Sequence, residues 1–352
     1  MASEDITREH MIRAWYSFAR GKSHRADVAA FAFDLETNLQ QLYHDLTTGR
    51  YRHGRYRMFT RCDPKPRAIA VPSVRDQVVH HLLVTAIGPF FERRFHPHSY
   101  ASRPRKGVLA AVETVQRWIA SCSDGGRTSC FALRMDVRRF FASVDHRVLL
   151  ALLAQWVPAV WMYLCVEVLR SFETGHPSPS CSPSPRGRGE GEGRHGIPLG
   201  NLTSQLFANV YLHELDRVVA HDLHVRHYAR YMDDWVVVGR DPAALHAAAQ
   251  HGRTFLRDAL RLDAPPEKTS IVPVTRGVDW LGFRIFPHHR VLRPTTVRHL
   301  RRRIHHRVFA ALDGDPPHDR LHATFASYDG LLRTARSGRE REFMHLLERC
   351  VD

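Results

Sequence analysis

The chain has 352 residues, of which 43% are hydrophobic, enough for a protein with its own core and room for two domains. Lysine and arginine number 51 against 36 aspartates and glutamates, which gives a formal net charge of +15 at pH 7. This positive charge favours a polyanionic partner, nucleic acid first, over an acidic small molecule. No apolar run reaches the length that spans a bilayer, so we expect no membrane attachment.

The cysteines and histidines argue against a disulfide framework and a zinc site. The six cysteines form no Cys-x-x-Cys pair, and the first residues lack the apolar core of a signal peptide, which predicts a reducing, cytoplasmic setting. The 25 histidines show no His-Glu-x-x-His or paired Cys/His spacing. The closest cluster, His80-His81, falls in an apolar helical run, so we expect these histidines to be surface or core residues.

The N-terminal third contains a basic segment followed by a helix. Residues 1–106 combine an amphipathic opening with a basic, aromatic-bearing stretch at 51–59 and a proline-punctuated stretch at 63–74. From Gly107 to Ala120, valine or isoleucine recurs every third or fourth residue, which predicts an amphipathic helix.

The middle of the chain carries a strand, a capped helix and an insertion. A short apolar strand ends at Asp136, and Asp145 precedes a leucine-rich run as a helix N-cap. From about Thr174 to Arg194 the sequence is Pro-Ser and Arg-Gly-Glu-Gly repeats, which predicts a disordered loop insertion without a catalytic role. We expect the next helix to begin at Gln205, with an apolar face made by Leu206, Phe207, Val210 and Leu215.

Two adjacent carboxylates, Asp233 and Asp234, stand in a turn between two segments with strand character. Like charges repel, so such a turn between buried strands is costly unless a cation compensates. A hard divalent ion such as Mg²⁺ fits best, because it takes a few carboxylate oxygens together with substrate phosphates. An ordinary surface turn also accommodates an Asp-Asp pair, and this segment alone leaves both interpretations open.

Asp136 supplies a third carboxylate from a separate strand. In two-metal sites the ions lie roughly 3.5–4 Å apart, one activating the attacking oxygen and the other stabilising the leaving group of an in-line displacement. A primer 3′-hydroxyl and pyrophosphate would fill these two roles.

Beyond Arg290 the pattern becomes helical and basic. Thr295 or Thr296 is the expected N-cap. The basic residues of this segment are Arg298, Arg301, Arg302, Arg303 and Arg307.

These motifs occur in the order of the palm motifs of reverse transcriptases, and the chain resembles that family. Phe141 follows Asp136 by five residues, then come Gly-Ile-Pro-Leu-Gly-Asn-Leu-Thr-Ser-Gln at 196–205 and Tyr-Met-Asp-Asp at 231–234.

Further segments extend the resemblance over most of the chain. Residues 67–76 and 99–107 resemble the family's fingers motifs, and residues 266–269 and 279–283 resemble the two palm motifs that follow the Asp-Asp turn. The form Leu199-Gly200-x3-Ser204-Gln205 resembles the diversity-generating retroelement branch, whereas group II intron and retron enzymes usually show Gln-Gly before a Ser-Pro ending.

The resemblance implies an α+β fold of the right-hand polymerase type. Its fingers would span residues 1–106. The palm, an antiparallel sheet packed on helices together with fingers-associated helices, would span 107–290, and a short helical thumb would span 291–352.

It also implies a catalytic centre that uses two Mg²⁺ ions, for which Mn²⁺ can substitute. The implied catalytic and metal-binding residues are Asp136, Asp233 and Asp234, and the carbonyl of Val137 joins them as a ligand. Lys268 is the implied proton donor to the pyrophosphate leaving group, although a lysine in this position is also compatible with an ordinary surface residue.

The implied nucleotide pocket draws on the fingers and the palm. Lys65, Arg67 and Arg75 are candidate triphosphate contacts, with a solvated basic loop as the alternative. Phe141 would clash with a 2′-hydroxyl and select deoxynucleotides, with core packing as the alternative. The remaining pocket residues are Leu199, Gly200 and Gln205.

The implied thumb would follow the phosphate backbone of a template–primer duplex. The arginines expected to make these contacts are Arg298, Arg301 and Arg302. A solvated helix face is the alternative.

The function that follows is RNA-directed DNA polymerase activity, in which a template repeat RNA is copied from a DNA primer and dNTPs into adenine-mutated cDNA. A small basic oligomeric accessory protein and a bacterial or phage-encoded, cytoplasmic setting belong to the same expectation. The alternatives are an ordinary reverse transcriptase of a retron, intron-like or phage-defence system, and a non-catalytic nucleic-acid-binding protein. The last would be expected to lack at least one aspartate, and all three are present.

Overall fold

A computed structural model of the protein describes residues 5–62, 66–172 and 194–312, with Leu332, Thr334 and Ala335. The expected disordered insertion therefore lies outside the described residues except for Arg194, and so does Lys65.

The chain divides into two compact units that are each discontinuous in sequence. The first unit comprises Met1–Pro104, Asp136–His224 and His251–Pro265. The second unit comprises Arg105–Met135, Val225–Gln250 and Pro266–Asp352. The fingers, palm and thumb boundaries expected from the sequence remain a prediction.

The described segments contain runs of helices separated by shorter runs of strands. The helices are α1 Arg8–Ala19, α2 Ala26–Phe33, α3 Leu35–Thr47, α4 Val74–Glu92, α5 Val108–Cys122, α6 Phe140–Ser143, α7 His146–Ala154, α8 Ala159–Arg170, α9 Leu202–Arg217, α10 Pro242–Asp258 and α11 Pro294–Leu312. The strands are β1 Arg57–Cys62, β2 Pro66–Val71, β3 Phe131–Asp136, β4 Tyr228–Tyr231, β5 Asp234–Gly239, β6 Ser270–Pro273, β7 Val278–Trp280, β8 Phe283–Ile285 and β9 Arg290–Leu292.

The strands form a β1-β2 hairpin, a four-stranded sheet in the order β4-β5-β3-β6 and a three-stranded sheet in the order β7-β8-β9. The pairs β1–β2, β3–β6, β4–β5, β7–β8 and β8–β9 are antiparallel. Mixed helices and antiparallel strands match the α+β class expected from the sequence.

The core of the first unit is built around α4, which packs against α1 and α9. Its buried apolar side chains include Val78, Val79, Leu82 and Leu83. The apolar face expected for α9 is buried as well. This packing places the N-terminal end of α9, where the candidate nucleotide motif lies, on a rigid helical base.

In the second unit, α5 packs against β4 and β5 of the four-stranded sheet. The amphipathic helix expected after Gly107 is confirmed, because Val112, Val115 and Ile119 are fully buried on it. The strand expected to end at Asp136 is also confirmed.

Two helix starts differ from the sequence prediction. Helix α9 begins at Leu202 after Asn201, so Gln205 lies at the end of its first turn. Helix α11 begins at Pro294, so neither threonine is its N-cap. Proline has its φ preset for a helix and needs no N–H partner there, which explains the earlier start.

Thr296 has a different role from the one expected. Its hydroxyl donates a hydrogen bond to the Gly282 carbonyl at 3.0 Å. None of the helices in the described segments is both long and apolar enough to cross a bilayer.

Candidate active site

The Asp-Asp segment forms a tight β-hairpin in the second unit. Tyr231 pairs with Asp234, so the loop consists of Met232 and Asp233 alone. Met232 has a φ of +55°, as a two-residue hairpin requires of at least one loop residue. Asp233 therefore lies at the tip of the hairpin, and Asp234 is the first residue of β5. The sequence had predicted that both aspartates lie in the turn.

A buried arginine supports this loop from within the sheet. Arg230 of β4 is fully buried, and its Nη1 donates a hydrogen bond to the Met232 carbonyl at 3.0 Å. Arg230 was not among the predicted site residues. Its place in β4, two residues before the loop, was the available signal for its role.

The carboxylate of Asp234 is held by a second arginine, Arg134. Nε of Arg134 donates to Oδ1 at 3.1 Å and Nη2 donates to Oδ2 at 3.0 Å, a bidentate arrangement. The repulsion between the adjacent aspartates predicted a compensating cation. For Asp234, the guanidinium of Arg134 supplies at least part of that positive charge. No local pattern in the sequence indicates this contact, because it joins residues 100 positions apart.

Asp136 ends β3 and is the candidate metal-binding aspartate that belongs to the first unit. Because side chains alternate along a strand, Asp136 lies on the same face of β3 as Arg134, and both are half-buried. The next residue, Val137, is buried. Arg138 N then donates to the Asp263 carbonyl at 2.8 Å, which fixes the chain as it leaves the strand.

Phe141 lies in the short helix α6, next to the motif at 196–205. Its ring is half-buried and meets Phe140 edge to face, with centroids 5.4 Å apart. Its carbonyl accepts a hydrogen bond from Ile197 N at 2.7 Å. The structure therefore brings together two segments that the sequence analysis assigned to one nucleotide pocket.

The loop at Leu199 and Gly200 also approaches the β1-β2 hairpin. Gly200 has a φ of +102°, and a Cβ added there would lie 3.2 Å from Cγ2 of Ile69 on β2. Glycine is favoured here both by its backbone conformation and by this close approach. Leu199 is half-buried beside it.

The first turn of α9 and the residue before it contain two buried polar atoms for which the described part of the chain offers no hydrogen-bond partner. These are Nδ2 of Asn201 and Oγ of Ser204, while Gln205 is half-buried. Unsatisfied buried polar groups destabilise a fold, and a functional role is one explanation for their presence. Asn201 was not among the predicted site residues.

The neighbouring Thr203 is instead tied to a histidine pair. A hydrogen bond of 3.0 Å joins Thr203 Oγ1 and His80 Nδ1, and another of 2.9 Å joins His80 Nε2 and His53 Nε2. Burial, then the charges of His53 and His81, hold the pKa of His80 well below its usual value. Both ring nitrogens of His80 thus bond within the protein, which agrees with a core rather than a metal-binding histidine.

The candidate triphosphate contacts have different surroundings. Arg67 is exposed on β2. Arg75 donates to Asp45 at 2.8 Å, and its guanidinium lies 4.8 Å from the ring centroid of Tyr51. Arg75 is thus part of the internal framework of the first unit. The third candidate, Lys65, lies outside the described residues.

The remaining candidates belong to the second unit. Lys268 is half-buried at the end of a 3₁₀ turn, Pro266–Lys268. The expected thumb arginines are exposed on one face of α11, with Leu300 and Ile304 buried on the other. These arginines are Arg298, Arg301 and Arg302.

The donor set is of the kind that suits a hard divalent ion. Carboxylate oxygens are what Mg²⁺ prefers, and substrate phosphates commonly complete its coordination. Within the part of the chain that the structure describes, no three His, Cys, Asp or Glu side chains group closely enough to form a metal site by themselves.

An α+β fold with an Asp-Asp pair at the β4–β5 hairpin is typical of polymerase-type nucleotidyltransferases. Residues 61–285 match the family model described as reverse transcriptase (RNA-dependent DNA polymerase), which is well over half of the chain. The protein belongs to the reverse transcriptase family and is an RNA-directed DNA polymerase.

The chain is similar to curated proteins that include a bacterial protein and an intron-encoded protein. It is 25% identical over 290 residues to Protein YkfC of Escherichia coli K12, covering 71% of this chain and 72% of that protein. It is 23% identical over 155 residues to the group II intron-encoded protein LtrA of Lactococcus lactis subsp. cremoris, covering 44% of this chain but only 23% of LtrA.

Among solved structures, an apo telomerase from Candida tropicalis, truncated from its C-terminal domain, covers 68% of this chain. The match spans 55% of that chain at a TM-score of 0.46 and 9% identity.

The family confirms the fold class and the enzyme class expected from the sequence. Reverse transcriptases take a nucleic-acid template and dNTP substrates and use divalent metal ions such as Mg²⁺.

Proposed function

We propose that this reverse transcriptase is of the diversity-generating type and copies a template repeat RNA into adenine-mutagenised cDNA. The observation that carries the proposal is the Leu199-Gly200-x3-Ser204-Gln205 motif, which differs from the Gln-Gly and Ser-Pro form usual in intron and retron enzymes. Its position beside Phe141 and β2 in the first unit supports a role in nucleotide selection.

The unpartnered polar atoms of this motif give a physical route to low fidelity. Among the described residues, Ser204 Oγ and Asn201 Nδ2 have no hydrogen-bond partner, and both atoms are buried, so a nucleotide would reach them only if the first turn of α9 moved. A pocket rejects the wrong nucleotide strongly when that nucleotide leaves a buried polar group of the pocket unpaired. A pocket whose polar groups can bond to more than one base therefore discriminates weakly between bases.

We assign the acidic residues to the reaction centre. Asp136 and Asp233, with the Val137 carbonyl, are the proposed metal-binding groups, and Asp234 completes the acidic set. Divalent ions, when bound, stabilise charge on the phosphoryl oxygens and lower the pKa of the attacking hydroxyl. Lys268 would donate a proton to the departing pyrophosphate.

We assign the proposed contacts to the incoming nucleotide from the exposure of each candidate side chain and its position in the chain. Arg67 is exposed for the triphosphate, with Lys65 beside it in sequence, and Arg75 would share its guanidinium between Asp45 and the phosphates. Phe141 would stand against the sugar and Gln205 against the base.

Primer extension tests this proposal. The purified protein is given an RNA template with scattered adenines, a DNA primer, dNTPs and Mg²⁺, and the products are sequenced. We expect errors concentrated opposite adenine, no product from Asp233→Asn, and fewer errors from Gln205→Ala. Uniformly accurate products would contradict the mutagenic assignment. A small basic accessory protein, the expected partner, is added in a parallel reaction.

An ordinary reverse transcriptase is the second candidate, because the LtrA relative is named as a group II intron-encoded protein. Accurate cDNA from the same adenine-bearing template would select this alternative. Both candidates share the polymerase chemistry, so the error spectrum separates them.

A further inference from the structure

The second carboxylate of the Tyr-Met-Asp-Asp hairpin belongs to a line of alternating charges in the second unit. Asp234 is 19% exposed and accepts both hydrogen bonds of the Arg134 guanidinium. Bidentate arginine–carboxylate pairs fix geometry as well as charge, because the planar fork matches the two oxygens. The pair therefore ties the first residue of β5 to the adjacent strand β3.

The line of charges continues beyond Arg134. Asp279 of β7 accepts from Arg284 at 2.7 and 3.1 Å, and its Oδ2 lies 3.5 Å from Nε of Arg293. The hydrogen bond from Arg284 is the largest cause that lowers the pKa of Asp279, and the charges of Arg293, Arg284 and Arg134 act in the same direction. Arg134 thus has carboxylates of two different sheets as electrostatic partners.

This arrangement distinguishes the two aspartates of the hairpin. Asp233 lies in the two-residue loop, while Asp234 is paired in the ladder opposite Tyr231. A carboxylate whose two oxygens already accept N–H bonds from a guanidinium is a poor ligand for a divalent cation, because the added cation is repelled by the arginine. Asp234 instead has the contacts of an anchoring residue.

We propose that Arg134 is a positioning residue that holds Asp234 as the anchor of the hairpin, so that Asp234 fixes the loop carrying Asp233 and does not ligate a catalytic cation. The inference rests on the proposed polymerase site and refines the role of one of its residues. In this role Arg134 acts through Asp234, which accepts hydrogen bonds from both its Nε and its Nη2.

Cation binding tests the distinction without any turnover. The full chain is bound to an RNA template, a dideoxy-terminated primer and the next dNTP, and Mn²⁺ binding is titrated by electron paramagnetic resonance. Asp233→Asn and Asp234→Asn remove the same charge from adjacent residues and are matched controls. We expect Asp233→Asn to weaken Mn²⁺ binding by about tenfold or more and Asp234→Asn by about twofold at most. Equal weakening in the two variants would overturn the proposal.

A double-mutant cycle tests the coupling of the pair. Arg134→Met, Asp234→Asn and the double variant are compared in single-turnover extension. We expect about a tenfold loss in rate for each single variant, an unchanged dNTP dependence and no further loss in the double variant. Arg134→Lys should restore part of the rate, because it keeps the charge without the bidentate fork. Multiplicative losses in the double variant would overturn the coupling.

The two readouts separate this inference from the proposed function. The frequency of errors opposite template adenines decides the retroelement assignment, whatever the relative Mn²⁺ affinities of the two variants. If the wild-type chain extends no primer even with the accessory protein, the proposed function fails, while the relative Mn²⁺ affinities of the matched variants still decide the role of Asp234.

Discussion

Two adjacent phenylalanines in α6 have different environments. Phe140 is 2% exposed and packs in the core, where its ring also meets Tyr211 edge to face. Phe141 is half-buried, and its backbone is bonded to the motif that contains Leu199 and Gly200. Substitution of each residue in turn therefore tests whether Phe141 selects the sugar of the nucleotide or only packs in the core.

We predict that Phe141→Ala raises the incorporation of ribonucleotides relative to deoxynucleotides, because it removes the ring that would clash with a 2′-hydroxyl. Competition between labelled rNTP and dNTP in primer extension measures the ratio. Phe140→Ala is the control: it should lower the free energy of unfolding by about 3–5 kcal/mol and leave the ratio unchanged. An unchanged ratio in Phe141→Ala would assign Phe141 to packing alone.

Asp145 confirms a sequence prediction and adds a tertiary contact to it. Its carboxylate caps α7 by accepting from Arg147 N at 2.7 Å and Val148 N at 3.2 Å. The same fully buried side chain accepts from Arg261 Nη1 at 2.6 Å. The N-cap was visible in the sequence, whereas the bond to Arg261 depends on the fold.

We predict that Asp145→Ala destabilises the protein by about 2–4 kcal/mol, because it removes the cap and leaves buried donors unpaired. Asp145→Asn keeps the cap and should be less destabilising. Urea unfolding monitored by circular dichroism gives both values. Equal losses in the two variants would show that the ion pair, and not the cap, carries the stabilisation.

At the scale of the element, helix α11 has its charged side chains and its buried apolar side chains on different faces. Its exposed arginines lie on the face opposite Leu300 and Ile304, so one face of the helix presents positive charge and the other face packs. A helix of this kind suits the phosphate backbone of a duplex.

We predict that replacing Arg298, Arg301 and Arg302 by glutamine weakens binding to an RNA–DNA duplex and reduces the slope of log affinity against log salt by up to about 3. Fluorescence anisotropy at several salt concentrations measures the slope. A matched control removes three charges from exposed arginines elsewhere, Arg13, Arg127 and Arg257. The same slope change in both variants would contradict a specific role for α11.

At the scale of the whole molecule, the contact between α1 and α4 makes stability sensitive to acid. His81 of α4 shares a 3.0 Å hydrogen bond with Ser17 of α1, and burial, then the charge of Lys22, lowers its pKa to about 4. The unfolded chain therefore binds a proton near pH 6.5 that the folded chain takes up only near pH 4. The neighbouring His80 has a lowered pKa for the same reason, burial.

We predict that thermal stability falls as pH decreases from about 6.5 towards 4, since the unfolded state holds more protons in that window. Differential scanning calorimetry across this range gives the dependence. The His81→Gln variant should show a shallower decline because it has no proton to gain. An identical pH dependence in the variant would show that other groups, His80 among them, account for the loss.

Local chemistry determined much of this protein. The periodicity of valine and isoleucine predicted α5, the apolar run predicted β3 up to Asp136, and the aspartate before the leucines predicted the cap of α7. Each signal lies within about twenty residues of chain, where helix and strand periods and capping act. The order of the motifs was sufficient for the family and the enzyme class.

Tertiary structure decided which side chains meet. Arg134 and Asp234 are 100 residues apart, Arg261 and Asp145 are 116 apart, and neither partner is favoured by any local pattern. The two compact units each gather separate stretches of chain, which no composition boundary marks. Periodicity indicates which face of an element is buried, but the packing of the whole chain decides which side chain lies across that face. The guanidinium of Arg134 beside Asp234 is such a tertiary contact.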